Sequence, residues 1–466
     1  MTIDVSRLLA EFSGVDLGDV RVEDRLQRIV TKLGSAPDES FPKQMGTVSD
    51  REALYRFLGN EKVTLDRVLG GHRDQTLERI SSHRIVRIVH DTSEFVFEGE
   101  RDGLHVRRGS EKASFYGHFA LATVADDSRE PLGLLGVRPF ANTDYELRKL
   151  TSAERARRQK AMPREQKKSG RWESLALETQ SLLPDGVEAI HLMDMEADDY
   201  NVFSALQSEE VRFVIRIECG RLSAEGIGAD ELLASQPTHQ LRDVFVSKRS
   251  RKKATNQHPT RSERKARLSV RASTITFRRP QVSKATLKEV TLSIVHVFEA
   301  NPPTDEPPIQ WMLVTSEPVT TLEEIAAVVD HYRGRWIIEE YFKALKTGCA
   351  FEKRQLGSFD SLVRALGLFA PMAWMLLAVR NIARESPRRS ADEFFSADQL
   401  QLLRVILNER NYKLPLIPTA RDAMLGIAAL GGHIKNNGDP GWIVLGRGLE
   451  TFYRTEEGWR LARSTM

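Results

Sequence analysis

Residues 84–90, Arg-Ile-Val-Arg-Ile-Val-His, are rich in β-branched side chains, and an acid, Asp91, follows them directly. Because β-branched side chains fit the pleated surface of a sheet, this run predicts a β-strand. Four further runs of the same kind predict strands later in the chain, at residues 113–124, 131–139, 189–193 and 211–217. Helical patterns at 173–183 and 196–207 separate the last three strands. The predicted order is three strands, helix, strand, helix, strand, which is typical of an α/β sheet.

This order of elements fits the ribonuclease-H-like fold, although other α/β folds share parts of it. We therefore expect such a core over residues 83–386, with a β-rich insertion at about 220–307, where alternating runs predict further strands. A strand at 310–315 and a long helix from about Thr321 return to the main pattern. Residues 387–466 are predicted to be helical again.

The first 82 residues predict a small all-α unit. Apolar side chains recur at the spacing of one helix face and end at a glycine stop signal: Leu26, Ile29, Val30, Leu33 and Gly34. A second helix is expected to begin at the capping-box pair Ser49 and Glu52, and a third at Thr64. Basic side chains lie on or between these helices, as in a DNA-binding domain, although many other helical domains show the same pattern.

The composition excludes several classes of protein. A chain of 466 residues is long enough for about two to four domains with a large buried core. Hydrophobic residues at 41% and charged residues at 29% exclude disorder, collagen-like repeats and a disulfide scaffold. The two cysteines, Cys219 and Cys349, lack metal-ligand spacing, so we expect neither a zinc site nor a disulfide. This cysteine usage predicts a reducing compartment. Cys349 is expected to pack as a small hydrophobe.

No membrane partner is expected. The uncharged stretch 365–379 is shorter than the ~20 residues that span a bilayer and contains Pro371, so it predicts a core helix. The first residues lack a basic region followed by an apolar region, so no secretory signal is expected. The protein is therefore predicted to be cytoplasmic.

Basic residues are concentrated in two segments of a chain whose net charge is only +3. Residues 248–271 hold ten basic side chains against one acid, and residues 155–171 hold eight against one, so the remainder is net acidic. Separated basic segments suit a polyanion laid along the surface, because each Lys or Arg that meets a phosphate releases counterions. Two solvated loops would explain the charge equally well.

Two aspartates are predicted to stand at the carboxyl ends of strands. Asp91 follows the strand at 84–90, and Asp194 follows the strand at 189–193. Ligands gather at those ends in α/β sheets, which makes both carboxylates candidate ligand groups. A single acid in such a place is more often a turn or helix-cap residue, so neither position is decisive alone.

The predicted long helix carries an unusual polar stripe. At about 100° per residue, one face holds an aromatic hydroxyl, several cations and a carboxylate: Tyr332, Arg335, Glu339, Lys343 and Lys346. Such a mixture is unlike a core face, and Trp336 with its apolar neighbours covers other sides of the helix. The alternative is an exposed face with weak salt bridges such as Arg335 to Glu339.

Phosphodiester chemistry would explain this combination of groups. Cutting or joining a DNA strand requires an activated water or 3′-hydroxyl, stabilised charge on the phosphoryl oxygens and assistance to the leaving oxygen. Two divalent metal ions about 3.5–4 Å apart supply all three. Mg²⁺ prefers oxygen ligands, so Asp91, Asp194 and Glu339 are candidate ligands from three different elements.

The sequence around the stripe resembles a known family. The signature in the third acidic region of DDE transposases of the bacterial insertion-sequence-four group is reproduced without deviation at Tyr332, Arg335, Glu339 and Lys346. Asp91 within His-Asp-Thr-Ser looks like the first acidic residue of that family, and Asp194 within Met-Asp-Met-Glu looks like the second. Shorter family motifs occur in the family's order at residues 54–57, 169–172, 213–216, 301–303 and 311–319.

The resemblance implies an activity and a set of roles. The activity is cut-and-paste DNA transposition through a 3′-hydroxyl nick, a hairpin intermediate and strand transfer into target DNA. Asp91, Asp194 and Glu339 would ligate two Mg²⁺ (or Mn²⁺) ions. DNA contacts would come from six further side chains: Tyr332, Arg335, Lys343, Lys346, Arg216 and Trp311. Trp311 matches a tryptophan that stacks against a flipped base and strains the strand end into a hairpin, although a tryptophan on an apolar strand is more often a core residue.

The implied partners are double-stranded DNA, at the terminal inverted repeats and at the target, and a second copy of the chain. Residues 1–82 would bind the ends and residues 387–466 would dimerise, in the bacterial cytoplasm and associated with the nucleoid. The full expectation is an α/β ribonuclease-H-like catalytic core with a β-rich insertion, flanked by an all-α N-terminal DNA-binding domain and an α-helical C-terminal dimerisation domain.

Two other functions stay open at this point. A stand-alone metal-dependent DNA nuclease on the same fold would cut DNA without joining it, and Trp311 with the residues of the hairpin step argues against it. A catalytically inactive DNA-binding regulator is the second alternative. Such a regulator is disfavoured because all three acidic residues, Asp91, Asp194 and Glu339, are present.

Overall fold

The computed structural model describes residues 5–35, 37–106, 111–141, 150–164, 167–250, 259–281, 283–304, 306–434 and 438–464. Parts of both basic segments, residues 165–166 and 251–258, lie outside these ranges. The described residues form a mixed sheet with helices on both faces, preceded and followed by helical segments.

The N-terminal segment is helical, as predicted. Its helices are α1 (Val5–Ala10), α2 (Val20–Ser35), α3 (Phe41–Met45), α4 (Val48–Leu58) and α5 (Leu65–Ser81). The cap predicted for α4 at Ser49 is wrong, because the hydroxyl of Thr47 accepts the Asp50 N–H two residues earlier and leaves Ser49 inside the first turn. The cap predicted for α5 is confirmed, since the Thr64 hydroxyl accepts the N–H of Arg67.

Ten strands in the described ranges form one sheet. They are β1 (Ile85–Glu98), β2 (His105–Val106), β3 (Lys112–Val124), β4 (Pro131–Ala141), β5 (Glu188–Met193), β6 (Arg212–Ile217), β7 (His239–Val246), β8 (Arg264–Arg278), β9 (Glu289–Glu299) and β10 (Gln310–Thr315). Their order is β2-β3-β1-β5-β6-β10-β9-β8-β7, with β4 also beside β3. The pairs β1–β5 and β5–β6 are parallel and the others are antiparallel. The β-rich content predicted at about 220–307 is confirmed, and its strands β7 to β9 extend the main sheet.

The predicted end of the first strand is wrong. β1 does not stop at His90 but continues to Glu98, because its antiparallel pairing with β3 runs from Val86 to Glu98. Its parallel pairing with β5 ends at Val89, opposite Leu192. Asp91 therefore lies inside a strand, at the point where that strand loses one of its two neighbours.

Helices cover both faces of the sheet. One face packs against α7 (Lys168–Ser181), α8 (Tyr200–Ser208) and α9 (Ala229–Ala234), with α6 (Ser152–Ala161) preceding them in the chain. The other face packs against α10 (Leu322–Gly334), α11 (Ile337–Lys343) and α12 (Phe359–Glu385). Since Val89 and Leu192 belong to this second core, side chains of the same parity on β1 and β5 point toward α10 and α11.

The helix α12 is long and apolar enough, by length and composition, to cross a membrane. However, 89% of its most apolar window is buried inside the protein. It packs on α5, β4 and α11, and Pro371 lies within it. The prediction of a core helix is therefore confirmed.

The C-terminal helices are α13 (Ala397–Glu409), α14 (Ala420–Leu430) and α15 (Trp442–Ser464). Two glycines let α14 and α15 approach with their backbones in contact. A Cβ atom on Gly448 would lie 1.9 Å from the carbonyl oxygen of Ile427, and one on Gly431 would lie 2.0 Å from that of Val444. No side chain fits at this crossing without separating the two helices.

We expect Gly448→Ala to destabilise the protein by about 1–3 kcal/mol, because the added methyl group overpacks the crossing. Gly458→Ala is the matched control in the same helix, since a Cβ there meets nothing within 4 Å. That control should gain about 0.5–1 kcal/mol from helix propensity. Urea unfolding followed by circular dichroism measures both, and equal midpoints for the two variants would contradict this account of the crossing.

Candidate active site

The three predicted carboxylates lie where β1, β5 and α11 meet. Asp91 is buried and has the same parity as Val89, so it faces α10 and α11. Asp194 follows β5 directly, as predicted, and its Oδ1 accepts the N–H of Glu196 at 2.8 Å in a short 3₁₀ turn. Glu339 lies in the first turn of α11 and is partly exposed.

Arg335 connects two of these carboxylates. Its Nη1 lies 2.8 Å from Oδ2 of Asp91, and its Nη2 lies 3.7 Å from Oε1 of Glu339. The arginine stands in the junction between α10 and α11, so it reaches toward the sheet from the same side as Glu339. A weak salt bridge between Arg335 and Glu339 was the alternative explanation of the polar stripe. This salt bridge is present, but it is longer than the contact between Arg335 and Asp91.

The predicted long helix begins at Thr321, which caps α10 with a capping box, but it is not continuous. α10 ends at Gly334, where a Cβ would lie 3.1 Å from Nη1 of Arg87. The next hydrogen bonds span three residues, from the N–H of Ile338 to the oxygen of Arg335 and from Glu339 to Trp336. A single helical stripe at about 100° per residue is consequently wrong beyond Arg335.

A π-helical turn, Ala344–Gly348, follows α11 and ends at Cys349. Cys349 is fully buried, and burial raises the pKa of its thiol. The expectation that Cys349 packs as a small hydrophobe is confirmed. The turn shifts Lys346 relative to an ideal α-helix, so that its Nζ donates to the carbonyl oxygen of Glu94 on β1 at 2.5 Å.

The electrostatics of the site are dominated by the burial of Asp91, and the negative charges of its neighbours add to the effect of that burial. Burial raises the pKa of Asp91 to about 7, and Asp194 and Glu339 add to this rise, although Arg335 and the N–H of Thr92 oppose it. Burial tends to lower the pKa of Arg335, but Asp91 and its neighbours raise it above its ordinary value. Arg335 is therefore a permanent cation within a group of three carboxylates.

Two aromatic side chains stand beside this group. Tyr332 is buried at the end of α10, and burial raises the pKa of its hydroxyl. Its ring centre lies 5.9 Å from that of Trp311 on β10. Trp311 is half-buried against the core, and Arg216 on the neighbouring β6 pairs in register with Leu313. Tyr332, Trp311 and Arg216 thus gather on the α10 side of the acidic group.

The two lysines of the predicted stripe lie apart from the carboxylates. Lys346 is directed at Glu94, farther along β1 than Asp91, with its Nζ 5.3 Å from the centre of the Phe95 ring. Lys343 is half-exposed and bonds Oε1 of Glu340 at 2.7 Å. It also lies over the ring of Trp336. The sequence pattern assigned Trp336 to an apolar side of the helix, whereas the residue is 58% exposed.

A chain of buried histidines lies on the opposite face of the sheet, directly behind Asp91. Hydrogen bonds join His90 to His191 at 2.9 Å and His118 to Thr92 at 2.9 Å. Burial lowers the pKa of His118 and His191 to about 3, so both rings are neutral. Sequence patterns did not predict this group of histidines, because a single histidine in an apolar strand is more often a core residue than a functional one.

Two family models match the chain. One described as Transposase DNA-binding matches residues 7–63, and one described as Transposase DDE domain matches residues 174–376. The first match covers α2, α3 and α4 of the N-terminal segment, so DNA is a partner of this protein. The second match includes Asp194 and Glu339 and begins after β1, which carries Asp91.

The fold and these matches define a DNA-processing enzyme with its acidic site on a mixed sheet. More narrowly, the matched segments are a transposase DNA-binding domain followed by a DDE transposase domain, and the mixed sheet fits the ribonuclease-H-like type. The metal-dependent chemistry of such a domain agrees with the predicted function class.

DDE transposase domains use divalent metal ions, and the residues of this site have suitable chemistry. Three carboxylates offer the hard oxygen ligands that such cations prefer. Burial raises the pKa of Asp91, with smaller contributions from Asp194 and Glu339, and a bound cation would stabilise its ionised form. No group of three His, Cys, Asp or Glu side chains within the described ranges is closely enough arranged to hold a metal ion. Arg335 instead neutralises Asp91.

We expect the binding of a divalent cation to weaken as the pH falls below about 7, because the raised pKa of Asp91 makes a cation compete with a proton there. The apparent affinity for Mn²⁺ should fall about tenfold for each pH unit from about pH 7 to about pH 5. Titration followed by electron paramagnetic resonance measures it. Asp91→Asn is the control, which should bind more weakly but without this slope; a pH-independent wild-type affinity would refute the role of Asp91.

Proposed function

We propose that this chain catalyses cut-and-paste transposition and belongs to the insertion-sequence-four group, where it is most similar to the transposon-five transposase. The observation that carries the proposal is the meeting of Asp91, Asp194 and Glu339 around Arg335, in a chain that also matches a transposase DNA-binding domain. The protein would bind terminal inverted repeats, nick at the 3′ end, form a hairpin and transfer the strand into target DNA.

The carboxylates Asp91, Asp194 and Glu339 would hold two Mg²⁺ (or Mn²⁺) ions, which supply the Lewis acid that activates an oxygen nucleophile. Arg335 would turn from Asp91 toward a phosphate once the carboxylates are neutralised, since its guanidinium stays charged throughout. Lys346, which donates to the carbonyl oxygen of Glu94 in the free protein, would contact the same DNA strand. In this proposal the three carboxylates hold the metal ions, and the side chains of Arg335 and Lys346 stabilise the negative charge on the phosphoryl oxygens.

Trp311 and Tyr332 would bind a base turned out of the duplex. Their rings are near neighbours on the α10 side of the acidic group, where a flipped base could stack. Arg216, on the strand next to Trp311, would hold the adjoining phosphate. Lys343, half-exposed beside Trp336, would contact the backbone farther along the strand.

We further propose a division into residues 1–82 for end binding, 83–386 for catalysis with an insertion at about 220–307, and 387–466 for dimerisation. Support for a homodimer comes from two adjacent apolar side chains, Leu416 and Ile417, which are 86% and 85% exposed in the C-terminal segment. An apolar patch of this kind favours contact with another protein surface. Transposition would take place in the cytoplasm, on the DNA of the nucleoid.

We expect Glu339→Gln to lower strand cleavage about 100-fold or more and to leave end binding intact, because it removes a metal ligand without removing a DNA contact. The assay is cleavage of a supercoiled plasmid carrying the inverted repeats, with Mg²⁺ and with EDTA. Glu323→Gln, on the exposed start of α10, is the matched control and should cut like the wild type.

The products of the same assay separate the alternatives. Excised linear transposon and joined target, formed only with metal and with Glu339 intact, would support the transposase. Cut but never joined DNA would indicate a stand-alone nuclease. End binding without any cut would indicate a regulator and would refute the catalytic roles proposed here.

We expect Trp311→Ala to form the first nick normally and to form the hairpin about tenfold more slowly or worse, because stacking contributes about 1–3 kcal/mol per base. Denaturing gels of end-labelled DNA separate the nicked strand from the hairpin. Trp459→Ala, a half-buried tryptophan on α15, is the control. Loss of nick and hairpin together would show that Trp311 is a core residue whose loss disturbs the whole site.

A further inference from the structure

The helix that carries Glu339 is short and irregular at both ends. α11 has seven residues, begins after hydrogen bonds that span three residues, and runs into a five-residue π-helical turn. Glu339 itself lies 3.7 Å from Arg335, which is longer than a hydrogen bond. The direction of the Glu339 side chain therefore depends on what fixes the rotation of α11 about its own axis.

The next residue, Glu340, supplies a polar anchor for that rotation. Its Oε2 accepts a hydrogen bond from Nη1 of Arg380 on α12, and the side chains of Glu340 and Arg380 are only 16% and 11% exposed. Tyr341 adds a second contact with α12, since its hydroxyl donates to the carbonyl oxygen of Ala370 at 3.3 Å. Adjacent residues on a helix diverge by about 100°, so holding Glu340 and Tyr341 against α12 turns Glu339 toward the sheet.

The ion pair is enclosed from the far side by the C-terminal helix. The guanidinium carbon of Arg380 lies 4.7 Å from the centre of the Trp442 ring at the start of α15. Trp442 also packs on the π-helical turn, where a Cβ on Gly348 would lie 3.6 Å from its ring. The pair between Glu340 and Arg380 is thus held in one geometry by three helices.

This pair is a poor choice for stability alone. Among the described residues, Nε of Arg380 is buried without a hydrogen-bond partner, and burial lowers the pKa of Arg380 although Glu340 opposes the change. Burying a charged group with an unused donor costs free energy, and apolar side chains of similar volume often pack at least as well. What the pair contributes is a fixed direction for α11.

We propose that Arg380 is a positioning residue for the acidic site, which holds Glu340 and thereby orients Glu339 toward Asp91 and Asp194. The inference rests on the proposed function in one respect, the assignment of Glu339 to the metal. Arg380 acts through Glu340, from the side of α11 that faces α12, and takes no part in the chemistry itself.

A double-mutant cycle tests the inference with Arg380→Met, Glu340→Met and the double variant. Arg384→Met is the matched control, because Arg384 lies one turn farther on α12 and pairs with Asp439 at 3.1 Å. The readouts are the dissociation constant for Mn²⁺, measured by electron paramagnetic resonance, the single-turnover rate of end cleavage, and the affinity for end DNA.

We expect each single variant to weaken Mn²⁺ binding and to slow cleavage by about 10–100-fold, as the loss of a residue that orients a metal ligand does. End binding should stay at the wild-type level. Because both substitutions remove the contact between Glu340 and Arg380, and Glu340→Met also releases Lys343, the double variant should lose no more than Glu340→Met alone. Arg380→Lys should recover part of the loss, and Arg384→Met should match the wild type.

Wild-type Mn²⁺ affinity in the variants would overturn the inference, as would losses that add in the double variant. A single variant could fail to fold because it leaves one buried charge unpaired. The double variant removes both charges and then decides the question: weakened Mn²⁺ binding supports the inference, and wild-type Mn²⁺ binding overturns it. A wild-type protein that binds Mn²⁺ but never cuts DNA would count against the proposed function, while the Mn²⁺ cycle would still decide on Arg380.

Discussion

The acidic site depends on one strand, β1, which pairs in two directions over different lengths. Its antiparallel partner β3 follows it to Glu98, whereas its parallel partner β5 stops opposite Val89. β5 ends at Met193, so the backbone at Asp91 is held by β3 on one side and has no paired strand on the other. Asp194 occupies the start of the turn that follows β5. The sheet alone therefore brings two carboxylates together before any helix is considered.

The third carboxylate, Glu339, lies on α11, which is separated from α10 by an irregular junction. Gly334 lets α10 approach Arg87, and the junction that follows sends both Arg335 and Glu339 toward β1. Irregular helical geometry of this kind is common at functional sites. Collecting three carboxylates around a buried position is costly without cations, and Arg335 offsets part of that cost in the free protein. Glu339 therefore lies just after a break in helical geometry, whereas Asp91 lies inside a regular strand.

Much of this arrangement was predictable from local sequence, and the rest depended on tertiary contacts. The succession of strands and helices along the chain, the cap at Thr64, the start of a helix near Thr321 and the position of Asp194 follow from patterns of a few residues. The extension of β1 beyond His90 was missed because it is set by pairing with β3, which a local pattern does not contain. The stripe on the helix assumed a constant rotation per residue, and the junction at Arg335 and the π-helical turn both change that rotation. Arg380 stands 40 positions from Glu340, so no local spacing connects them.

The burial of Cys349 gives the protein a natural reporter of its own fluctuations. This thiol lies at the end of the π-helical turn and is sealed in the core, whereas Cys219 is partly accessible. A thiol reagent therefore meets Cys219 in the native state and reaches Cys349 only when the segment that follows α11 opens. Once Cys219 has been replaced, the rate of modification at Cys349 measures the free energy of that local opening, on a timescale that a static structure does not reveal.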